Sequence, residues 1–130
     1  MGKSLIQQKR GKGSPRYRAP SFKYKGKAGF GRYESGKQIT AQVLDIVHSS
    51  GHSAPLMELK YSSGESGLLQ APEGIKSGDQ IEIGENSELK SGNILPLKSI
   101  PEGTSIYNIE SNPGDGGKFV RTSGVFARII

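Results

Sequence analysis

From Gln38 onward the sequence is a succession of short apolar runs separated by turn-forming clusters, and this rhythm limits the fold more than any other feature. The runs alternate apolar with polar residues or are rich in β-branched side chains, as strands are. Clusters such as SSGHSAP, SSGESG and NPGDGG lie between them, and these residue types favour turns. No run has the length and period of a helix. Residues 38–130, called the body below, are therefore predicted to be all-β, as a small barrel or sandwich.

The first run predicts a bent strand. Ile39, Ala41 and Val43 alternate on one face, and then Leu44 and Ile46 fall on the other parity. A bulge near Val43 and Leu44 would produce this shift. A long, bent first strand is expected in a five-stranded OB-type barrel. The alternative is a strand that is buried on both faces.

A boundary is expected near residue 100. Five strand-like runs precede it, which is enough for one OB-fold barrel over residues 38–99. The later runs TSIYNIE, KFVRT and GVFARII predict the start of a second β unit over residues 100–130. Because three strands rarely form a stable unit alone, we expect this unit to be incomplete, either truncated or completed by a partner chain.

Residues 1–37, called the arm below, differ sharply from the body in charge. The arm holds eleven Lys or Arg against one acid, a net +10, whereas the body holds seven bases against eleven acids, a net −4. Five of the nine aromatic residues also lie in the arm, and no apolar periodicity persists there. Such a segment cannot bury enough apolar area to offset its ordering entropy. We expect it to be disordered alone and extended when bound.

The composition of the arm suits RNA. Lys and Arg neutralise phosphates, and Tyr and Phe stack on unpaired bases. The alternatives are a solubilising tail or a membrane-surface patch. A membrane patch should show an amphipathic helix, and the arm has no such pattern. The sequence also has no apolar run long enough to span a bilayer.

One stretch at the junction of the arm and the body resembles a nucleotide-binding motif. GRYESGKQIT, residues 31–40, nearly matches the phosphate loop G-x-x-x-x-G-K-[ST], but Gln38 stands where a hydroxyl should hold magnesium. A phosphate loop also needs a buried strand before it and a helix after it. The preceding KYKGKAGF is too basic for that strand, and the following residues are β-like. A nucleotide-dependent enzyme is thus disfavoured.

Metal and cofactor chemistry finds little support in the sequence. Cysteine is absent, so thiolate sites are excluded. His48 and His52 lie around a turn and lack an obvious third ligand. Serines crowd turns, where their hydroxyls satisfy backbone groups. We expect no cofactor, no metal, no small-molecule substrate and no enzymatic activity.

Several stretches together resemble one family. QQKRGKGSPRYRAP, VLDIVHSSGHSAPLMEL, APEGIKSGDQIEIG, SGNILPLKSIPEGTSIYNIE and NPGDGGKFVRTSGVFARII occur in the order and spacing of universal large-subunit ribosomal protein two, in its archaeal and eukaryotic form. The resemblance covers nearly the whole chain and corresponds to the N-terminal half of that family. GNILPLKSIPEGT and PGDGGKFVRTSG are its most specific parts.

The resemblance implies a fold and a function. It implies an OB-fold barrel followed by an SH3-like barrel, binding of large-subunit ribosomal RNA, and a role in subunit assembly and near the peptidyl-transferase region, in the cytoplasm. Neighbouring ribosomal proteins and a separate C-terminal half are the other expected partners. His52 stands where the family has an RNA-contacting arginine, and Arg121 matches a family arginine beside Lys118.

The residues expected to contact RNA are these basic and aromatic arm residues together with three body residues: Lys3, Lys9, Arg10, Lys12, Arg16, Tyr17, Arg18, Phe22, Lys23, Tyr24, Lys25, Lys27, Arg32, Lys37, His52, Lys118 and Arg121. Two departures from the family stand out. The family continues well beyond Ile130, and the RYES region is shorter than its usual linker.

The second hypothesis for the function is a free OB-type binder of single-stranded nucleic acid or a translation factor, which should carry aromatic residues on its barrel face.

Overall fold

A computed structural model of the chain describes residue 2, residues 14–30 and residues 36–130. Within these ranges the regular structure is six β-strands and three short 3-10 turns, so the predicted all-β class is confirmed. The strands are β1 (Ile39–Val47), β2 (Leu56–Tyr61), β3 (Ser66–Gln70), β4 (Gln80–Ile83), β5 (Ser105–Ile106) and β6 (Ala127–Arg128). The 3-10 turns are Pro15–Tyr17, Ser21–Lys23 and Leu97–Ser99.

The first four strands form one antiparallel sheet in the order β3-β2-β1-β4. Its inner face carries the apolar residues that alternate along the strands, and the core includes Val43, Met57, Leu59 and Ile81, each at most 1% exposed. Burial of such side chains contributes about 1.5–3 kcal/mol each. The period-two pattern seen in the sequence thus becomes the buried side of the sheet.

The predicted bulge in β1 is confirmed. The pairing of β1 with β2 shifts register between Val43 and Asp45, which leaves Leu44 without a paired residue on β2. Leu44 is 47% exposed and Ile46 is 38% exposed, so the alternative of a strand buried on both faces is wrong. The extra residue rotates the following side chains and bends the strand.

The fifth strand-like run, NILPLK, forms less regular pairing than predicted. Ile94 makes a single parallel bridge to Ile83, and its N–H donates to the carbonyl of Glu82. Pro96 then begins the turn to Leu97–Ser99, because proline has no N–H to continue a ladder. A complete five-stranded barrel, and its division from a second unit near residue 100, remain predictions.

The last third of the chain forms a small second sheet. β5 pairs with β6, and an isolated bridge joins Ile109 to Phe119. Phe119 and Phe126 are 55% and 62% exposed, so this region leaves much apolar surface uncovered. The described part of the chain contains no helix long and apolar enough to cross a membrane.

Candidate nucleic-acid interface

One segment of the arm, residues 24–30, is not a free tail, because it lies against the body without regular secondary structure. At one end of this segment the N–H of Lys25 donates to Oγ of Ser49, at 3.2 Å. At the other end the N–H of Gly29 donates to the carbonyl of Leu68 in β3, at 3.0 Å. Ala28 between them is only 3% exposed. The expectation of an arm that is disordered along its whole length is therefore wrong for this segment, which has body partners to satisfy its backbone.

The cationic side chains near this segment point to solvent. Lys23, Lys25 and Lys27 are all exposed, as are Arg16 and Arg18 further upstream. None of the five takes part in an ion pair in the described part of the chain. Exposed cations that follow one another along the backbone are well placed to meet successive phosphates of a polyanion.

Among the described residues of the arm, Tyr17 and Phe22 each lie beside a cation. The guanidinium of Arg16 lies 5.9 Å from the ring centre of Tyr17, and the ammonium of Lys23 lies 5.8 Å from that of Phe22. Phe22 is 83% exposed. A large apolar ring this accessible adds little to folding, whereas it offers a face on which a base can stack.

The loop between β1 and β2 receives Tyr24 of the arm. A Cβ at Gly51 would lie 3.0 Å from the Tyr24 ring, so the ring packs directly on the glycine backbone. His52 of the same loop places Nδ1 3.3 Å from Oγ of Ser49. Ser49 is fully buried. The predicted contact residue His52 therefore lies beside the predicted contact residues Tyr24 and Lys25.

A second loop, residues 110–117, is organised by two carboxylates. Asp115 accepts hydrogen bonds from the N–H groups of Ser111, Asn112 and Gly117, and Glu110 accepts from those of Gly114 and Gly116. The hydrogen bond from the N–H of Asn112, with further ones from Gly117 and Ser111 and the nearby Lys118 charge, lowers the pKa of Asp115. This loop touches the arm, since a Cβ at Gly29 would lie 3.4 Å from the carbonyl oxygen of Gly116.

Lys118 and Arg121 follow this loop and differ in their surroundings. The Lys118 side chain is 59% exposed and lies 4.0 Å from Asp115, so its ammonium is accessible to solvent. Arg121 is half-buried, and its Nη2 donates a 2.7 Å hydrogen bond to the carbonyl of Ala28. Arg121 thus contacts the arm directly, whereas Lys118 follows the loop that touches it.

The structure brings the β1–β2 loop, β3 and residues 116–121 together around the arm segment 24–30. Lys37 is exposed, but it lies beyond the segment. The predicted contact residues Lys3, Lys9, Arg10, Lys12 and Arg32 fall outside the described residues. The sequence reasoning missed Ser49, Gly51 and Gln70, whose roles depend on contacts between distant parts of the chain.

The matches to known proteins extend over the whole chain. Residues 90–130 match the family described as Ribosomal Proteins L2, C-terminal domain. Proteins called large ribosomal subunit protein uL2 match all of the chain: that of Methanocaldococcus jannaschii is 50% identical over 133 aligned positions, that of Methanosphaera stadtmanae 48% and that of Methanococcus vannielii 47%.

These relatives define the class of protein that the chain resembles, which is the ribosomal proteins. More particularly, the chain is similar along its full length to a part of uL2, and the resemblance predicted from its motifs is confirmed. The chain spans 55% of the length of the first two of these relatives and 56% of the third.

Proposed function

We propose that the chain is a structural, non-enzymatic constituent of the large ribosomal subunit in the cytoplasm, and that its arm binds ribosomal RNA. The observation that carries this proposal is the identity of 47–50% with uL2 proteins over the whole chain. The arm supports it, because the exposed cations of Arg16 and Lys23 lie beside the rings of Tyr17 and Phe22. Proximity to the peptidyl-transferase region and contacts with neighbouring ribosomal proteins belong to the same proposal.

The proposed contact set includes the exposed arm residues of the described ranges. Arg16, Arg18, Lys23, Lys25 and Lys27 meet phosphates, and Phe22 stacks on an unpaired base. In the body, Lys118 reaches a phosphate next to the arm, and His52 contacts RNA from the β1–β2 loop. The remaining predicted arm residues and Lys37 extend this contact set along the same polyanion.

The salt dependence of RNA affinity tests the phosphate contacts. The affinity for large-subunit ribosomal RNA, measured at several KCl concentrations, should fall with a slope of about 0.7–0.9 log units per phosphate contact. Replacing Lys23, Lys25 and Lys27 together by Gln should reduce this slope by about two to three units. The matched control replaces the exposed body residues Lys60, Lys76 and Lys98 by Gln and should leave the slope unchanged. Equal losses in both triple variants would contradict an RNA-binding arm.

The stacking contact has its own test. Phe22→Ala should weaken RNA binding by about 1–3 kcal/mol, the usual worth of a base–aromatic stack. Phe126→Ala removes another exposed ring, 62% accessible against 83% for Phe22, from the C-terminal region and should have no effect on affinity. A larger loss for Phe126→Ala than for Phe22→Ala would favour the free OB-type binder, which reads bases on its body.

A further inference from the structure

Arg121 makes a three-way connection between parts of the chain that are far apart in sequence. Its Nη2 donates to the carbonyl of Ala28 at 2.7 Å. The side-chain oxygen of Gln70, in the amide orientation that satisfies both groups, accepts from Nε at 3.1 Å and from Nη2 at 2.9 Å. The guanidinium therefore joins the arm, the end of β3 and the C-terminal region.

The partners of Arg121 are buried. Gln70 and Ala28 are each 3% exposed, so neither the amide oxygen nor the carbonyl can turn to water without moving the chain. A buried acceptor that loses its donor costs the full desolvation penalty of that group. Arg suits this position because its planar fork presents several fixed donors, whereas a lysine ammonium is a single point charge.

The backbone before Arg121 is held in an uncommon conformation. Val120 has φ 57, in the left-handed region that β-branched residues avoid. The N–H of Asn108 donates to the carbonyl of Val120 at 2.9 Å, which helps to fix this turn. Residues persist in such a conformation only when their surroundings over-determine it. The turn directs the next side chain, that of Arg121, toward the arm.

We propose that Arg121 is a positioning residue for the arm. Its side chain holds residues 24–30 on the body before RNA is bound. It fixes the carbonyl of Ala28 next to the contact that Gly29 makes with β3, and so sets the path along which Lys25 and Lys27 project. Preorganising a segment in its bound conformation lowers the ordering cost of binding. The effect on RNA rests on the proposed function, but the effect on the arm does not.

The first test needs no RNA. Initial tryptic cleavage after Lys25 and Lys27, followed by mass spectrometry, and hydrogen exchange of the Gly29 amide are compared in the unaltered chain, Arg121→Lys, Arg121→Gln and Lys118→Gln. Both Arg121 variants should speed cleavage and exchange by about tenfold or more, as expected for local opening of a held segment. Lys118→Gln should behave as the unaltered chain. Hydrogen exchange of β1 and β2 amides reports whether the sheet itself stays folded.

Gln70→Leu is a second variant that weakens the same connection, because it removes the acceptor oxygen of residue 70 and keeps the Arg121 guanidinium. It should also speed cleavage after Lys25 and Lys27. If every Arg121 and Gln70 variant keeps the unaltered rates at Lys25, Lys27 and Gly29, the proposal is overturned. The same holds if β1 and β2 exchange rises as much as Gly29 exchange, because Arg121 then supports the whole fold rather than the arm.

The RNA measurement separates positioning from phosphate binding. Under the proposal, Arg121→Lys and Arg121→Gln weaken RNA affinity to a similar degree and leave its salt slope unchanged. Lys118→Gln should reduce the slope by about 0.7–0.9. If the side chain at position 121 instead binds a phosphate of the RNA, the opposite is expected. Arg121→Lys should then be tolerated, and Arg121→Gln should reduce the salt slope. If the chain binds no ribosomal RNA at all, the proposed function fails while the cleavage result still decides the role of Arg121.

Discussion

The side chain of Asn108 occupies the space in which a Cβ of Gly117 would lie. Asn108 is itself in a left-handed conformation, with φ 53, and Gly117 has φ +97. Asn108 therefore depends on glycine at position 117, because its amide fits only against a residue that lacks a side chain. Gly117 ends the loop that carries Asp115, and its neighbour Gly116 lies against Gly29 of the arm.

Gly117→Ala should be strongly destabilising. The new Cβ collides with Asn108 and must also adopt the left-handed region, which together should cost about 2–5 kcal/mol. Gly114→Ala is the matched control in the same loop, since Gly114 has φ +86 but nothing within 4 Å of its Cβ position. Urea unfolding should show a loss of about 1 kcal/mol for that variant. Equal losses would mean that Asn108 moves aside freely.

Acid should loosen the same loop through Asp115. Hydrogen bonds from the N–H groups of Asn112, Gly117 and Ser111 lower the pKa of this carboxyl below its unfolded value. The charged form thus contributes stability above the unfolded pKa, and this contribution is lost as pH falls through the folded pKa. Asp115→Asn should flatten the decline of stability on acidification, measured by thermal unfolding between neutral and strongly acidic pH. Glu65→Gln, which removes an exposed carboxylate between β2 and β3, is the charge-matched control.

Alkali should destabilise the chain through Tyr107. Burial raises the pKa of its phenol to about 12, whereas the unfolded phenol titrates near 10. The stability that comes from keeping this phenol neutral is complete below the unfolded pKa and is lost as pH rises toward 12. Tyr107→Phe should reduce this alkaline loss, as measured by urea unfolding at several pH values. Ultraviolet titration should show one tyrosine fewer ionising at the late step in that variant.

The sheet core should respond to truncation as a well-packed interior does. Leu59 has no exposed surface, so Leu59→Ala removes apolar contacts and leaves a cavity, at a cost of about 2–5 kcal/mol. Leu89→Ala removes the same atoms from a residue that is 54% exposed. Its effect on the free energy of unfolding should stay within about 0.5 kcal/mol. Similar losses for the two variants would contradict the assignment of the core to the inner face of the sheet.

The sequence pattern was most informative where the structure depends on neighbours along the chain. The parity shift between Val43 and Leu44 predicted the bulge, because alternation of faces is a local property of a strand. The run around Ile94 predicts a strand of several residues, yet Pro96 limits it to one bridge. Proline inside a run was the available signal for that shortening.

The interface was predictable in composition but not in geometry. The exposed cations and Phe22 could be named from the charge division and the interleaved aromatics. The contact between Ala28 and Arg121 could not be predicted, because it joins residues 93 positions apart and depends on Gln70 being buried. A buried amide at the end of a strand has no periodic signature. The packing of Tyr24 on Gly51 could not be predicted either, because Gly51 is one of several glycines in a turn-rich sequence.

The bond from Gly29 to Leu68 has a consequence for solubility. β3 lies at one end of the four-stranded sheet, where unpaired backbone groups invite strands from other molecules. The arm segment that contains Gly29 shields part of that border. A chain shortened past residue 30 should therefore self-associate in light-scattering experiments even without RNA, while one shortened only to residue 23 should stay monodisperse. If the arm binds RNA as proposed, the stretch that is ordered for a nucleic acid should also keep copies of the chain apart.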